Sequence, residues 1–297
     1  MHGWIPVSAT AELAAARLAA AAVARRPRLL ARTLRAPGGG VGAAVMLLLV
    51  AVGVFAPLLA PTDPFAVDGP PLSAPSSAYL LGTDALGRDL LSGIIYGART
   101  SLILAGGVAL VVVVIGTTIG LLSGYVGGWV DDALMRGTEL IQVLPRFFLA
   151  LVVIAFFGPG LDRLVLLLGI TSWPLLARVI RAEVFTLRQQ EFVEAARVHG
   201  ATRARILLRE ILPNALPPAI ALLGLIVAQV ILIEASLGFL GLGDPNVISW
   251  GTLASEAQRF LRVAWWLSLF PGLAILLAVL GLNLFGDALT DALAGRR

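Results

Sequence analysis

The sequence predicts an all-α polytopic membrane protein with six transmembrane helices. Composition and segment length carry that prediction. Of 297 residues, 58% are hydrophobic and only 13% are charged, with a mean hydropathy of +0.92. Globular domains use roughly 25% charged residues to cover a water-facing surface, so nearly all of this chain belongs in a bilayer. Its apolar residues also gather into stretches close to the ~20 residues that cross ~30 Å of hydrocarbon.

Six such stretches follow in order. The first, about Val41 to Ala60, carries no charge. The second, about Ser101 to Val126, includes the β-branched run from Leu110 to Ile115. The third runs from about Leu140 to Phe157 and is ended by Gly158-Pro159-Gly160. The fourth spans about Leu161 to Ile180, with Pro174 near its middle. The fifth covers about Ala215 to Leu240 and the sixth about Ala264 to Leu284. Pro145 and Pro174 are expected to kink the third and fourth spans. No internal repeat at solenoid periods is visible.

All basic residues are arginine, and their distribution sets the orientation. The N-terminal segment carries Arg17, Arg25, Arg26, Arg28, Arg32 and Arg35. The segment between spans four and five carries Arg181, Arg188, Arg197, Arg203, Arg205 and Arg209, and the tail ends in Arg296-Arg297. Six crossings put all of these on one side, which the positive-inside rule makes cytoplasmic, with both termini inside. Residues 1–40 read as a basic cytoplasmic segment, and residues 41–297 as the transmembrane domain. The basic stretch is too long for the n-region of a signal peptide, so span one reads as a retained anchor. Residues 11–36 suit either an amphipathic helix on the inner leaflet or a disordered basic tail. About 61–100 forms the longest extracytoplasmic piece.

The chain has no Lys and no Cys. A Walker A phosphate loop needs its Lys, and Schiff-base chemistry does too. Disulfides, thiol nucleophiles and thiolate metal sites need Cys. His2 and His199 alone cannot build a histidine metal cage. No catalytic, cofactor-binding or metal-binding residue is therefore expected in this chain.

The segment from Arg181 to Pro213 is the informative one. It holds ten charged residues, and at roughly 2.5–3.5 kcal/mol per charge at bilayer depth it must stand in water. Two short helices are readable in it. The first, about Leu187 to His199, ends at Gly200, suited to a left-handed C-cap. The second starts after Thr202, a candidate N-cap, and stops before Pro213. A helix–turn–helix at a membrane surface is a docking element. Glu194, Ala195 and Ala196 open a helix face flat enough to enter a cleft. Glu194 can pair with a partner's arginine or with Arg197.

Glu194-Ala195-Ala196, Gly200 and Ile211-Leu212-Pro213 together resemble the EAA loop of ABC importer permeases. Glu210 departs from the general pattern, which has Ile there. Other segments resemble the dipeptide and oligopeptide permeases of the DppC/OppC type. These are Leu81-Gly82-Thr83-Asp84 with Gly87-Arg88-Asp89, Gly97 to Leu102, and Ile233-Glu234 through Gly238, Gly241 and Gly243, where Ser is more usual at position 238. Ser249-Trp250-Gly251, Trp265-Trp266 with Phe270-Pro271-Gly272, and Asn283 to Leu289 belong to the same resemblance, which covers roughly residues 41–294.

That resemblance implies a type I ABC importer permease fold and alternating access. It implies a heterodimer with a homologous permease, two ATPase subunits that bind ATP-Mg, and an extracytoplasmic substrate-binding protein. The substrate implied is a dipeptide or short oligopeptide, with nickel or another small solute as the alternative. Membrane lipid surrounds the chain, and no nucleic acid is implied. Asp84, Arg88 and Asp89 either tie down an extracytoplasmic turn or meet the binding protein. Glu234, an ionisable residue inside a span, suits a packing or gate-hinge role, with Gly238 and Gly241 allowing close approach beside it. Asn283 and Asp287, one turn apart, are expected to clasp a neighbouring helix end. Trp250, Trp265 and Trp266 read as interfacial anchors. A proton-coupled secondary transporter titrating Glu234 or Asp287 is the rival class, but it has no use for a docking hairpin. An intramembrane hydrolase lacks a nucleophile and base within the spans.

Overall fold

The computed structural model describes residues 30–294, in which all regular elements are helical apart from a single bridge between Thr83 and Asp89. Most of the basic N-terminal segment, including most of the stretch expected to be amphipathic, lies outside the described residues. Helical residues 30–35 lead into α1 (Gly39–Val54) and one turn, α2 (Ala56–Leu59). An irregular stretch follows, then α3 (Leu90–Val126), α4 (Gly128–Val143), α5 (Arg146–Phe157) and α6 (Leu161–Leu187). The chain continues as α7 (Glu191–Val198), α8 (Arg203–Phe239), α9 (Trp250–Ala257) and α10 (Trp266–Ala294).

The predicted crossings are recognisable but not all continuous. Helices α3, α6, α8 and α10 are each long and apolar enough to cross a membrane. The third crossing is broken, because α4 and α5 meet at a bend of 72°. Pro145 explains the break: its ring forces Leu144 into extended backbone (ψ 123°) and offers no N–H to the preceding turn. The first crossing is interrupted at Phe55, ahead of Pro57, which leaves α1 with 16 residues. Six crossings are reached only by counting the bent pair as one and adding this short helix.

Two helices outrun the expectation. Helix α3 begins well before Ser101, inside the predicted loop 61–100, because the Asp89 carboxylate caps its first turn by accepting from the Ser92 backbone N–H at 2.8 Å. Its 37 residues make a rod of about 55 Å at 1.5 Å per residue, longer than the hydrocarbon core. Pro174 lies within α6, which runs through it unbroken.

Helices α3 and α6 form the spine of the bundle. Lipid tails are as apolar as leucine, so helices in a bilayer associate through close packing rather than a hydrophobic drive. Here a four-residue glycine spacing on α3 provides it. A Cβ on Gly116 would lie 3.1 Å from the Trp173 carbonyl oxygen, on Gly120 2.6 Å from that of Ala177, and on Gly124 2.8 Å from that of Arg181. Leu104, Val108, Val112, Leu168, Leu176 and Ile180 fill the space around this seam and are fully buried.

The end of the bundle where α3 begins and α8 ends is stapled through backbone carbonyls. Trp250 donates its indole N–H to Ile94 at 2.9 Å, Trp266 donates to Thr83 at 3.2 Å, and the Thr100 hydroxyl donates to Ile248 at 2.7 Å. Trp250 and Trp266 are therefore buried joints, correcting their reading as interfacial anchors, whereas Trp265 is 54% exposed. Their indoles find acceptors within the protein, which removes the reason to sit among headgroups. In the loop after α8, Asp244 accepts from the Leu161 N–H at 3.1 Å, so it caps the start of α6, and from the Asn246 N–H at 2.9 Å. Burial favours the protonated form of this carboxyl, but the backbone donors of Asn246 and Leu161 and the nearby Arg163 outweigh it and hold the carboxyl below the usual range.

Two predictions follow from these contacts. Gly120→Ala should destabilise the protein by roughly 1–3 kcal/mol through overpacking, and Gly120→Leu should abolish monodisperse folded protein in size-exclusion chromatography. The lowered Asp244 acidity adds stability that is present above the ordinary aspartate range and is lost as pH falls through the folded value. Asp244→Asn should therefore melt lower than wild type at neutral pH and lose less on acidification, as read by thermal unfolding in detergent.

Candidate functional site: a docking hairpin

The expected helix–turn–helix is present, with shifted boundaries. Helix α6 runs on through Leu187, so the first short helix begins only at Glu191. It ends as expected: Gly200 has φ +75°, and the next amide, of Ala201, bonds back to the Ala196 carbonyl at 3.0 Å. Thr202 then caps the next helix, its hydroxyl accepting from the Arg205 N–H at 3.3 Å.

The second helix does not stop before Pro213. It continues as α8 to Phe239, and a π-helical turn at Ile206–Ile211 explains how. The Leu212 N–H bonds to the Leu207 carbonyl, five residues back, widening the turn in front of the proline ring. Such a turn accommodates a residue that can neither donate nor fit an ordinary α-turn.

Helix α7 is two-faced. Val193 is fully buried, and it belongs to the same apolar cluster as Ile206 and Ile211 of α8 and Ile180 and Val184 of α6. The opposite face is open: Glu194, Ala195, Arg197 and Val198 are exposed, and Ala196 is half-buried. Glu194 pairs with Arg197 at 3.4 Å, an exposed contact of little energetic weight. Leu212 and Pro213 lie within α8, directly after its π-helical turn. Buried apolar residues thus fix the hairpin to the bundle, while its open surface carries Glu194, Ala195 and Arg197 together with the exposed apolar side chains of Phe192 and Val198, all free to meet another surface.

A set of contacts that the sequence reading did not anticipate anchors the approach to this hairpin. Arg181, near the end of α6, makes a bidentate pair with Asp131 of α4, Nε to Oδ1 and Nη2 to Oδ2, each at 2.6 Å. Asp131 is buried and also accepts from the Ser123 hydroxyl of α3. Arg188 donates to the Gly124 carbonyl at 2.9 Å and the Tyr125 carbonyl at 3.3 Å, near the end of α3. Both guanidinium groups lie over the Phe185 ring, 4.7 Å from its centroid for Arg181 and 4.4 Å for Arg188. The available signal was an acidic pair, Asp131-Asp132, in the first turns of the helix that follows Gly127-Gly128.

The remaining candidates lie elsewhere. Asp84 accepts from the Leu86 and Arg88 N–H groups, both at 2.8 Å, and Gly82 and Gly87 have positive φ in the same turn. Arg88 approaches Asp84 at 4.0 Å. Glu234 is buried on α8 beside the Ser249 hydroxyl. A Cβ on neighbouring Gly238 would lie 2.8 Å from the Gly251 backbone, so α8 and α9 touch main chain to main chain there. Gly241, with φ +79°, turns the chain just after α8. Asn283 and Asp287 make no side-chain hydrogen bond or ion pair with another of the described residues, so the clasp expected of them is not seen among those residues. Asp287 is exposed, which leaves it solvated. Among the described residues no group of His, Asp and Glu could hold a metal ion. A cavity of about 340 Å³ between α1, α3, α8 and α10 is lined by Met46, Leu49, Ala105, Val227, Leu282 and other uncharged residues. It offers no charge to a peptide's termini.

Comparison with known proteins places this arrangement. Residues 116–297 match the family model described as binding-protein-dependent transport system inner membrane component. A dipeptide transport system permease protein of Alkalihalophilus pseudofirmus is 38% identical, covering 85% of this chain and 84% of that one. A di/tripeptide transport system permease protein of Pseudomonas aeruginosa is 40% identical over 85% of this chain and 86% of its own length. A glutathione transport system permease protein of Pectobacterium atrosepticum is 41% identical, covering 84% and 83% respectively. Among solved structures, an inward-facing MetNI methionine ABC transporter shares the fold, with a TM-score of 0.56 and 19% identity over 70% of this chain and 98% of that one. With its apolar helices and these relatives, the chain belongs to the inner-membrane permease components of binding-protein-dependent ABC transport systems.

Proposed function

We propose that this chain is one of two permease subunits of an ATP-driven importer for dipeptides or short oligopeptides in a bacterial cytoplasmic membrane. The hairpin from Glu191 to Arg205 faces the cytoplasm together with both termini, and α7 docks into a cleft on one of two ATPase subunits. The single observation that carries this reading is the geometry of that hairpin. One face is fixed to the bundle through Val193, and the other presents Glu194, Ala195 and Arg197 outward, a shape suited to entering another protein. The peptide substrate is supported by relatives named for dipeptide and di/tripeptide transport.

The work divides by chemistry. This chain has no Lys to serve a Walker A loop, so ATP-Mg is bound and hydrolysed by the partner subunits. Closure of the two ATPases around ATP moves both docked helices, and alternating access follows as a population shift between inward- and outward-open states. An extracytoplasmic binding protein delivers the peptide to the opposite end, where Gly82, Asp84, Gly87, Arg88 and Asp89 form a rigid turn it can meet. Glu234 and the Gly238–Gly251 crossing form a packed joint near that end. Asn283 and Asp287 remain available to the homologous permease or to an ATPase subunit.

Two measurements test the docking assignment. Gly200 has a left-handed backbone and open space around it, so a substitution acts through φ alone. Gly200→Val should cut ATP-dependent uptake by about tenfold or more while membrane insertion is unchanged, and Gly200→Asn, which tolerates that conformation, should keep most of it. Wild-type uptake by the valine variant would remove the hairpin from the transport cycle. Glu194→Arg should reduce co-purification of the ATPase subunits, whereas unchanged recovery would confine Glu194 to its contact with Arg197.

A further inference from the structure

Three facts about the hairpin's approach belong together. The last residue of α6 is Leu187, and the docking helix α7 begins at Glu191. Two arginines flank that junction on its bundle side, and both are committed to partners on α3 and α4. Arg181 holds Asp131 in a bidentate pair whose two hydrogen bonds fix the direction of the guanidinium plane as well as its distance. Arg188, the C-cap of α6, reaches the carbonyls of Gly124 and Tyr125, which the last turn of α3 leaves unpaired.

Asp131 is the centre of this set. Its carboxylate is buried, and it takes Arg181 from α6 and Ser123 from α3 while sitting in the first turn of α4. One side chain thereby joins three helices at the point where the chain leaves the bundle. Only the Asp131 side of this pair is buried, Arg181 being about a third exposed, so truncating Arg181 strands a buried carboxylate whereas truncating Asp131 leaves a guanidinium that water still reaches.

We propose that Asp131, Arg181, Arg188 and Phe185 form a joint that makes the ends of α3, α4 and α6 one body with the docking helix. Displacement of α7 by the ATPases then reaches the membrane helices through positioning residues rather than dissipating in the Arg188–Gln190 linker. Asp131 touches neither substrate nor nucleotide. It acts by holding Arg181 and so the heading of α6. This rests on the importer reading above.

The test uses the complete importer, reconstituted in proteoliposomes with its partner permease, ATPases and binding protein. Alanyl-alanine is the transported probe. Asp131→Asn preserves shape and the Ser123 contact but removes the charge that orients Arg181. It should assemble with wild-type subunit ratios, hydrolyse ATP within about twofold of wild type, and import the dipeptide at least fivefold more slowly, so that ATP used per peptide rises. Arg181→Lys, which keeps the charge but loses the fork, should fall between.

A second readout does not depend on substrate. The chain has no native cysteine, so spin labels at Gln190→Cys and Trp129→Cys report the distance between the root of α7 and α4. In the otherwise wild-type complex that distance should stay constant when vanadate traps the nucleotide-bound state. With Asp131→Asn it should broaden or shift. If Asp131→Asn does not assemble, Asp131→Leu with Arg181→Met replaces the pair by apolar packing. Recovered assembly with persistent uncoupling supports the joint, and recovered coupled uptake overturns it. Coupled uptake and a constant distance in Asp131→Asn also overturn it. Failure of the wild-type complex to show ATP-dependent dipeptide uptake would instead count against the function proposed above, while the spin-label distances would still test the joint.

Discussion

The constraint on which the rest of the molecule depends is the close approach of α3 and α6 along Gly116, Gly120 and Gly124. Helix backbones come this near only where no side chain intervenes, and each of the three would place a Cβ within about 3 Å of the carbonyl of a residue on α6. Close approach fixes register. The third glycine faces the Arg181 carbonyl, so the same contact that packs the spine sets the height at which the Arg181 side chain leaves it. A shift of one turn, 5.4 Å, would carry the guanidinium past Asp131 and leave two charges unpaired in a partly buried site. Packing and electrostatics thus specify one arrangement rather than contributing separately.

From that spine the apolar interior continues without interruption into the hairpin around Gly200. Val193, Ile206 and Ile211 share a buried cluster with Leu168, Leu176, Ile180 and Val184. The hairpin is therefore an extension of the membrane bundle's core into water and not a loop tethered to it. Its surface is hydrophilic because ten charges between Arg181 and Pro213 cannot be immersed in lipid. Close-packed interiors transmit displacement, since they have little free volume to absorb it. The π-helical turn at Ile206–Ile211 then keeps α8 continuous from the hairpin to Phe239, so the hairpin has one long helix on each side.

Much of this was legible in the sequence where a single residue type imposes a local outcome. Gly200 turning left-handed and Thr202 capping the next helix follow from backbone sterics and the unpaired amides of a helix start, and both are seen. Proline was harder to read, because its effect depends on its neighbours. Pro145 breaks a crossing by 72°, Pro174 sits within an unbroken helix, and Pro213 is passed by means of a widened turn five residues deep. Tryptophan was misread for a related reason: an indole prefers the interface only when no internal acceptor is available, and the carbonyls of Ile94 and Thr83 provide one for Trp250 and Trp266. The Asp131 joint left only a faint local trace, the acidic pair Asp131-Asp132. It pairs positions 50 apart in the chain, and nothing in a local pattern distinguishes Asp131 from Asp132 beside it.

The two buried carboxylates on the main helices sharpen the distinction between the ends of the bundle. Glu234 and Asp131 both lie at crossings of several segments, and both are more than nine-tenths buried. Glu234 rests beside a neutral hydroxyl, that of Ser249, where the backbones of Gly238 and Gly251 already bring α8 and α9 into contact. Its position is over-determined by main-chain packing. Asp131 has the opposite situation: α4 is short and amphipathic and is followed by the break at Leu144-Pro145, so packing alone holds it weakly. A directional ion pair is the stronger device in that setting, because hydrogen bonds to a charged group contribute about 1.5–3 kcal/mol each against about 1 for neutral ones. Placing the directional ion pair where packing is thin gives the Asp131 end of the bundle a fixed geometry that its own helix contacts would not supply.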